Sequence, residues 1–210
     1  MPTEGVYIMS TYQVPKQLAT RDKILAIVTG GICIGLSYVL SMLKLFEMPM
    51  GGSVTPAATL PLILFCLCFG PVWGFPACLV FSVLQLITGY YVAPFQVALD
   101  YILAYTLVAV VSFAAPKGEY RYLKSPLKRL AHINLPLTIV LTIVGFICRF
   151  VCSVLSGVIF YAEYAGDMNP WLYSITYNGT FMLPEAGVTL AVMIILFVAL
   201  RVINKDKASK

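Results

Sequence analysis

Six long apolar runs constrain this chain more than any other feature. They cover residues 24–43, 56–69, 72–88, 95–115, 135–160 and 171–203. Away from their ends they carry only three charges, Asp100, Arg149 and Glu185. With 60% hydrophobic and 11% charged residues, the chain cannot cover a water-facing surface of ordinary composition. The bilayer is then the solvent, and every backbone amide inside it needs an internal partner. Helices satisfy that demand. The runs lack the period-two alternation of barrel strands. The expected fold is therefore an all-α membrane protein, a bundle of six transmembrane helices. A Gly70-Pro71 breaker separates the second and third spans, and Pro184 is expected to kink the sixth. The second run is short for a crossing, so part of it is expected in the preceding loop or near the interface.

Charge distribution sets the expected orientation. Of fourteen Lys and Arg, twelve flank the runs at three places. Lys16, Arg21 and Lys23 precede the first. Lys117, Arg121, Lys124, Lys128 and Arg129 fill the loop after the fourth. Arg201, Lys205, Lys207 and Lys210 close the chain. The positive-inside rule places all three segments, and both termini, in the cytoplasm. This gives a cytoplasmic tail at 1–23 with Tyr7 and Tyr12, a transmembrane domain at 24–203, and a cytoplasmic tail at 204–210. No signal-peptide pattern opens the chain. Basic residues spread along membrane borders argue against nucleic acid as a partner. Cys33, Cys66, Cys68, Cys78, Cys148 and Cys152 lie in apolar runs without metal-ligand spacing and read as packing residues.

A charge in hydrocarbon costs at least about 2.5–3.5 kcal/mol on insertion scales, so each asks for a reason. Helical spacing gathers their neighbours. Gln96 and Asp100 stand at i and i+4, with Tyr101 beside them and Tyr90 just upstream. Arg149, Ser153, Ser156 or Gly157, and Phe160 form a stripe on the fifth span. Ser174, Asn178, Phe181 and Glu185 form another on the sixth, beside Tyr173 and Tyr177. A carboxylate among tyrosines suits an organic cation, by Coulomb attraction and by cation–π contacts of ~0.5–2 kcal/mol each. Asn178 can read an amide or amine edge. Alternatively, Asp100 and Arg149 pair with each other and join two helices. Arg149 otherwise serves as countercharge to Asp100 or as a fork for a ligand phosphate. The role of Glu185 is open. His132, the lone histidine, sits at a membrane border, where solvent or headgroups suit it. The chain has no P-loop, no HExxH and no Ser/His/Asp set, which points away from an enzyme and from ATP hydrolysis by the chain itself.

Four segments carry a family resemblance: Pro49-Met-Gly-Gly-Ser-Val54, Gln96-Val-Ala-Leu-Asp-Tyr101, Leu155-Ser-Gly-Val-Ile-Phe160 and Trp171-Leu-Tyr-Ser-Ile-Thr-Tyr-Asn178. Together they resemble the thiamine transporter family ThiT (YuaJ), the substrate-binding S components of energy-coupling-factor (ECF) transporters. The resemblance implies a six-helix bundle that captures thiamine near the extracellular face, beneath the loop joining its first two helices. Met50 to Ser53 are the lid segment. By position, Asp100 matches the acid that faces the thiazolium, and Tyr90, Tyr101, Gly157, Tyr173 and Asn178 match other pocket positions. Tyr161 stands where a ligand-stacking tryptophan is expected, and Ser153 where a histidine can occur. Gln96 and Arg149 complete the expected ligand-binding set. The implied partners are a transmembrane T component and two ATP-binding subunits in the lipid bilayer of a bacterial cell, with no cofactor. The T component is expected to dock on Gly31-xxx-Gly35 of the first helix; packing within the bundle is the alternative use of these glycines. An S component for another small vitamin or a thiamine precursor is the alternative function, and a structural membrane protein without ligand the alternative class. Trp171 is expected beside the pocket.

Overall fold

The computed structural model describes residues 16–49 and 52–208. Residues 1–15, with Tyr7 and Tyr12, lie outside the described residues, as do Met50 and Gly51 of the expected lid and positions 209–210. The elements run α1 (Lys16–Met42), β1 (Phe46–Glu47), β2 (Ser53–Val54), α2 (Leu60–Phe69), α3 (Pro71–Ile87), α4 (Pro94–Ala114), α5 (Pro126–Ala131), α6 (Leu135–Phe160) and α7 (Pro170–Ala208). Among the described residues, α1 from Thr20, α4, α6 and α7 to Ile203 are long and apolar enough to cross a membrane. The apolar helices α2 and α3 are shorter.

The first helix starts at Lys16, within the segment expected as the N-terminal tail. At the other end, α7 runs on through 204–208, part of the expected tail. Pro184 sits inside α7 without ending it.

The second span follows the first of its two expected alternatives, with its first turn in the preceding loop. Its helix begins at Leu60 rather than Pro56, after a turn in which Ala57 takes φ of 55°. Every residue of α2 except Leu64 is buried, because a helix apolar on all sides belongs in the middle of a core. It packs against α1, α3 and α4, with Phe65, Phe69 and Phe81 among its fully enclosed neighbours and members. Gly70 ends it at φ 76° and starts α3 at once, with Pro71 at the first helical position.

Around this core the outer faces are apolar and exposed, as lipid contact requires: Ile24, Ile27, Ile32 and Val39 on α1, and Leu183, Ile195 and Val202 on α7. Gly31 and Gly35 share that open face. A Cβ built on either meets nothing within 4 Å, whereas one on Gly30 would stand 3.1 Å from the Phe65 ring. Gly30 and the fully buried Ala26 therefore pack inside, and Gly31 and Gly35 do not.

The basic loop is more structured than expected. It holds a 3-10 turn at Gly118–Tyr122 and the helix α5. Arg129, read from sequence as a border residue, is fully buried. It binds Asp22 of α1 at 2.5 Å, donates to the carbonyls of Leu123 and Cys68, and covers the Phe69 ring at 4.8 Å. His132 is exposed and stacks on Tyr120 at 4.3 Å.

Candidate functional site

Three local devices build the site. The first is in α4. Its backbone widens into a π-helical stretch, Ala98–Leu103, which contains Asp100 and Tyr101. Such π-bulges are frequent at functional sites. Gln96, nearly fully buried, donates through Nε2 to Asp100 Oδ2 at 2.7 Å and accepts from the Val92 amide at 3.3 Å. Ser156 of α6 donates to the same Oδ2 at 2.6 Å. Asp100 is thus held from two helices. Gln96 acts mainly on Asp100, through this bond.

The second device is the turn before α4. The Tyr101 hydroxyl accepts from the Tyr90 amide and donates to the Tyr90 carbonyl, both at 2.8 Å. Gly89 allows this approach, since a Cβ there would stand 2.7 Å from the Tyr101 ring. The Tyr101 hydroxyl therefore fixes the turn, and Tyr90 is presented beside Tyr161, with ring centroids 6.4 Å apart. Burial pushes the Tyr161 phenol up, with the Asp100 charge adding to the effect, so the ring is neutral at physiological pH.

The third device is the strap between α1 and α2. Phe46–Glu47 pairs antiparallel with Ser53–Val54. The Tyr177 hydroxyl of α7 accepts from the Gly52 amide at 3.0 Å and donates to the Pro49 carbonyl. A Cβ on Gly52 would meet Phe181 and the Tyr177 hydroxyl at 2.8 Å, so a larger residue there would have to push these side chains aside. Helices α6 and α7 also close tightly: a Cβ on Gly157 would come within 2.1 Å of Ser174 Oγ. Ser174 donates to the Val154 carbonyl at 2.9 Å, and Asn178 donates to the carbonyls of Ser174 and Ser153 at 2.9 and 3.4 Å. The Asn178 N–H groups are thereby engaged, leaving its oxygen as an acceptor.

These devices enclose a cavity of about 840 Å³. Tyr90, Gln96, Asp100, Tyr101, Arg149, Ser153, Gly157, Tyr161, Tyr173 and Asn178 all line it. A wall of α7 aromatics completes it, Tyr173 stacked on Tyr177 at 6.1 Å and Tyr177 edge-on to Phe181 at 5.8 Å. The predicted α6 stripe holds as far as Gly157; Phe160 turns away to Phe95, at 6.3 Å. Trp171 is about half exposed at the start of α7, two residues before Tyr173, and does not itself line the cavity.

The Asp100–Arg149 pair expected as one alternative does not form. Arg149 binds Glu185 at 3.0 Å, both nearly fully buried. Its second amine donates to the Tyr105 hydroxyl at 3.1 Å, with the guanidinium 4.4 Å from the Tyr105 centroid. Thr55, just beyond β2, donates to the other Glu185 oxygen at 3.4 Å. Glu185 thus ties α7 to α6 and to the strap. Glu185, Tyr105, Tyr177, Ser156 and Thr55 were absent from the predicted set. Glu185 lay on the sixth-span stripe, Tyr177 beside it and Ser156 on the fifth-span stripe, so these three could have been included; Tyr105 and Thr55 gave no pattern.

The comparisons agree with one another. The profile of a family described as thiamine transporter protein (YuaJ) matches residues 27–205. The thiamine transporter ThiT of Bacillus subtilis (strain 168) is 30% identical over 167 residues, covering 77% of this chain and 84% of that protein. A solved structure of ThiT from Listeria monocytogenes superposes with a TM-score of 0.64 at 24% identity, covering 87% of this chain and 97% of the other.

Proposed function

Given that the chain belongs to the thiamine transporter family, a family of transporters and not of enzymes, we propose that it is the thiamine-binding S component of an ECF importer. One observation carries the reading: a carboxylate, Asp100, is fixed by Gln96 and Ser156 in a membrane cavity walled by tyrosines. Thiamine carries a permanent cation on its thiazolium ring. Asp100 offers it a countercharge, and the tyrosines offer ring faces. The Asn178 oxygen can accept from the aminopyrimidine. About 840 Å³ lies within the range of small-ligand sites.

In this reading α2, together with its turn, and α3 complete six crossings with both termini cytoplasmic. The basic loop then lies inside and the strap outside. The strap closes over thiamine captured from the extracellular side, held by its bonds to Tyr177. The chain has no P-loop, so uptake needs ATP-binding subunits and a T component. Gly31 and Gly35, open on the outer face of α1, are the docking surface proposed for the T component.

Competition against labelled thiamine on the purified chain tests the substrate. Thiamine should displace the label at lower concentration than its phosphates or its separate pyrimidine and thiazole halves. Stronger displacement by one half would identify a precursor transporter, and no binding of any of them would reject the reading.

A further inference from the structure

A second cavity, of about 370 Å³, lies at the opposite functional pole, where the basic loop meets the helix ends. Its wall includes Gly70, Pro71, Ser112, Phe113, Lys117 and Arg121. We propose that it binds the phosphate group of an anionic phospholipid. Four features converge. The cavity sits at the N-terminus of α3, whose helix begins directly after the left-handed Gly70 and presents a partial positive charge. Lys117 and Arg121 add two cations, and neither has a carboxylate within ion-pair distance among the described residues. Arg121 uses one amine on the Phe69 carbonyl at 3.2 Å, while its buried Nε finds no partner among the described residues. Independently, Ser112 has no exposed surface, and its Oγ also lacks a hydrogen-bond partner among the described residues. A buried hydroxyl left without a partner is costly, and a phosphate oxygen is an acceptor that would relieve it.

A lipid fits better than a free phosphate because the same wall carries Phe113, more than half exposed, and Val72 beside Pro71 is also exposed. These side chains lie among outward apolar surfaces where acyl chains run. Basic pockets between helices at the membrane border are known sites for anionic headgroups.

The test measures retention of dioctanoyl-phosphatidylglycerol by the delipidated full chain in detergent, by native mass spectrometry. The wild type should hold one saturable copy. Lys117→Gln and Arg121→Gln should each weaken it roughly fivefold, as ~1 kcal/mol per basic residue implies. Because Arg121 also caps the end of α2, Lys117→Gln with Ser112→Ala serves as a second variant that leaves that bond intact. It should weaken retention at least as much as Lys117→Gln alone, with a melting temperature no lower than that of the wild type. Retention unchanged in Lys117→Gln and in Lys117→Gln with Ser112→Ala would overturn the site. Displacement of the lipid by millimolar inorganic phosphate, or binding of phosphate alone, would overturn the lipid as occupant.

Discussion

Replacing Arg149 with Met leaves Glu185 buried without its countercharge. The pair spans 3.0 Å with both side chains nearly free of solvent. Breaking such a pair from one side typically costs ~3–5 kcal/mol, most of it the stranded charge. The Tyr105 hydroxyl and Thr55 each lose the group that orders them or their partner. At ~2–4 °C per kcal/mol for a chain of this size, the apparent melting temperature should fall by ~6–20 °C. Removing both charges, Arg149→Met with Glu185→Leu, should recover most of the loss, since apolar replacements of a buried pair are often neutral. The assay is thermal unfolding of the wild type, both single variants and the double variant in one detergent, read as a double-mutant cycle. A double variant as unstable as the sum of the singles would refute the pairing. The cycle also separates two uses of Arg149. If thiamine and its pyrophosphate bind the double variant equally weakened, Arg149 acts through the scaffold; selective loss of the pyrophosphate would make it a phosphate ligand.

Three further outcomes follow from the geometry. Tyr177→Phe removes two bonds that hold the strap; at ~0.5–1.5 kcal/mol each, thiamine should dissociate roughly tenfold faster in stopped-flow exchange, and an unchanged rate would deny the strap a gating role. Gly157→Ala should cost ~1–3 kcal/mol by thermal unfolding, because the added Cβ lies within 2.1 Å of Ser174 Oγ; Ser174→Ala in the same chain should restore part of it, and no restoration would place the clash elsewhere. Leu at both Gly31 and Gly35 should leave thiamine affinity of the purified chain within about twofold and abolish ATP-driven uptake in cells supplying the other subunits, because the face is open in this chain. Retained uptake would exclude this face as the docking surface.

The wall of the cavity was legible because it rests on helical periodicity. Ser174, Asn178, Phe181 and Glu185 stand at i, i+4, i+7 and i+11, and all four face the cavity. Gln96 and Asp100 at i and i+4 bond directly. Periodicity does not report the π-helical widening at Ala98–Leu103, which depends on how α4 packs. Nor does it choose partners among several buried charges. Arg149 could reach Asp100 or Glu185 from sequence alone, and tertiary placement selected Glu185. The burial of Arg129 within the basic loop was not legible for a related reason: a basic residue in a loop usually meets solvent, and only the fold brings Asp22 of α1 beneath it. The apolar run from Pro56 was too short for a crossing, which left its first turn to the loop, but the residue at which the helix begins depends on the turn at Ala57 and was not legible.

The central claim is that Asp100 is the countercharge for thiamine in this cavity, and calorimetric titration of the wild type and Asp100→Asn tests it most directly. Asn keeps the shape and the bond from Ser156 but removes the charge. Thiamine should bind the wild type at one site, and the variant should lose ~2–5 kcal/mol, roughly 30-fold or more in Kd. A neutral isostere of thiamine should lose much less. Equal losses for both ligands, or thiamine affinity unchanged in the variant, would contradict the account.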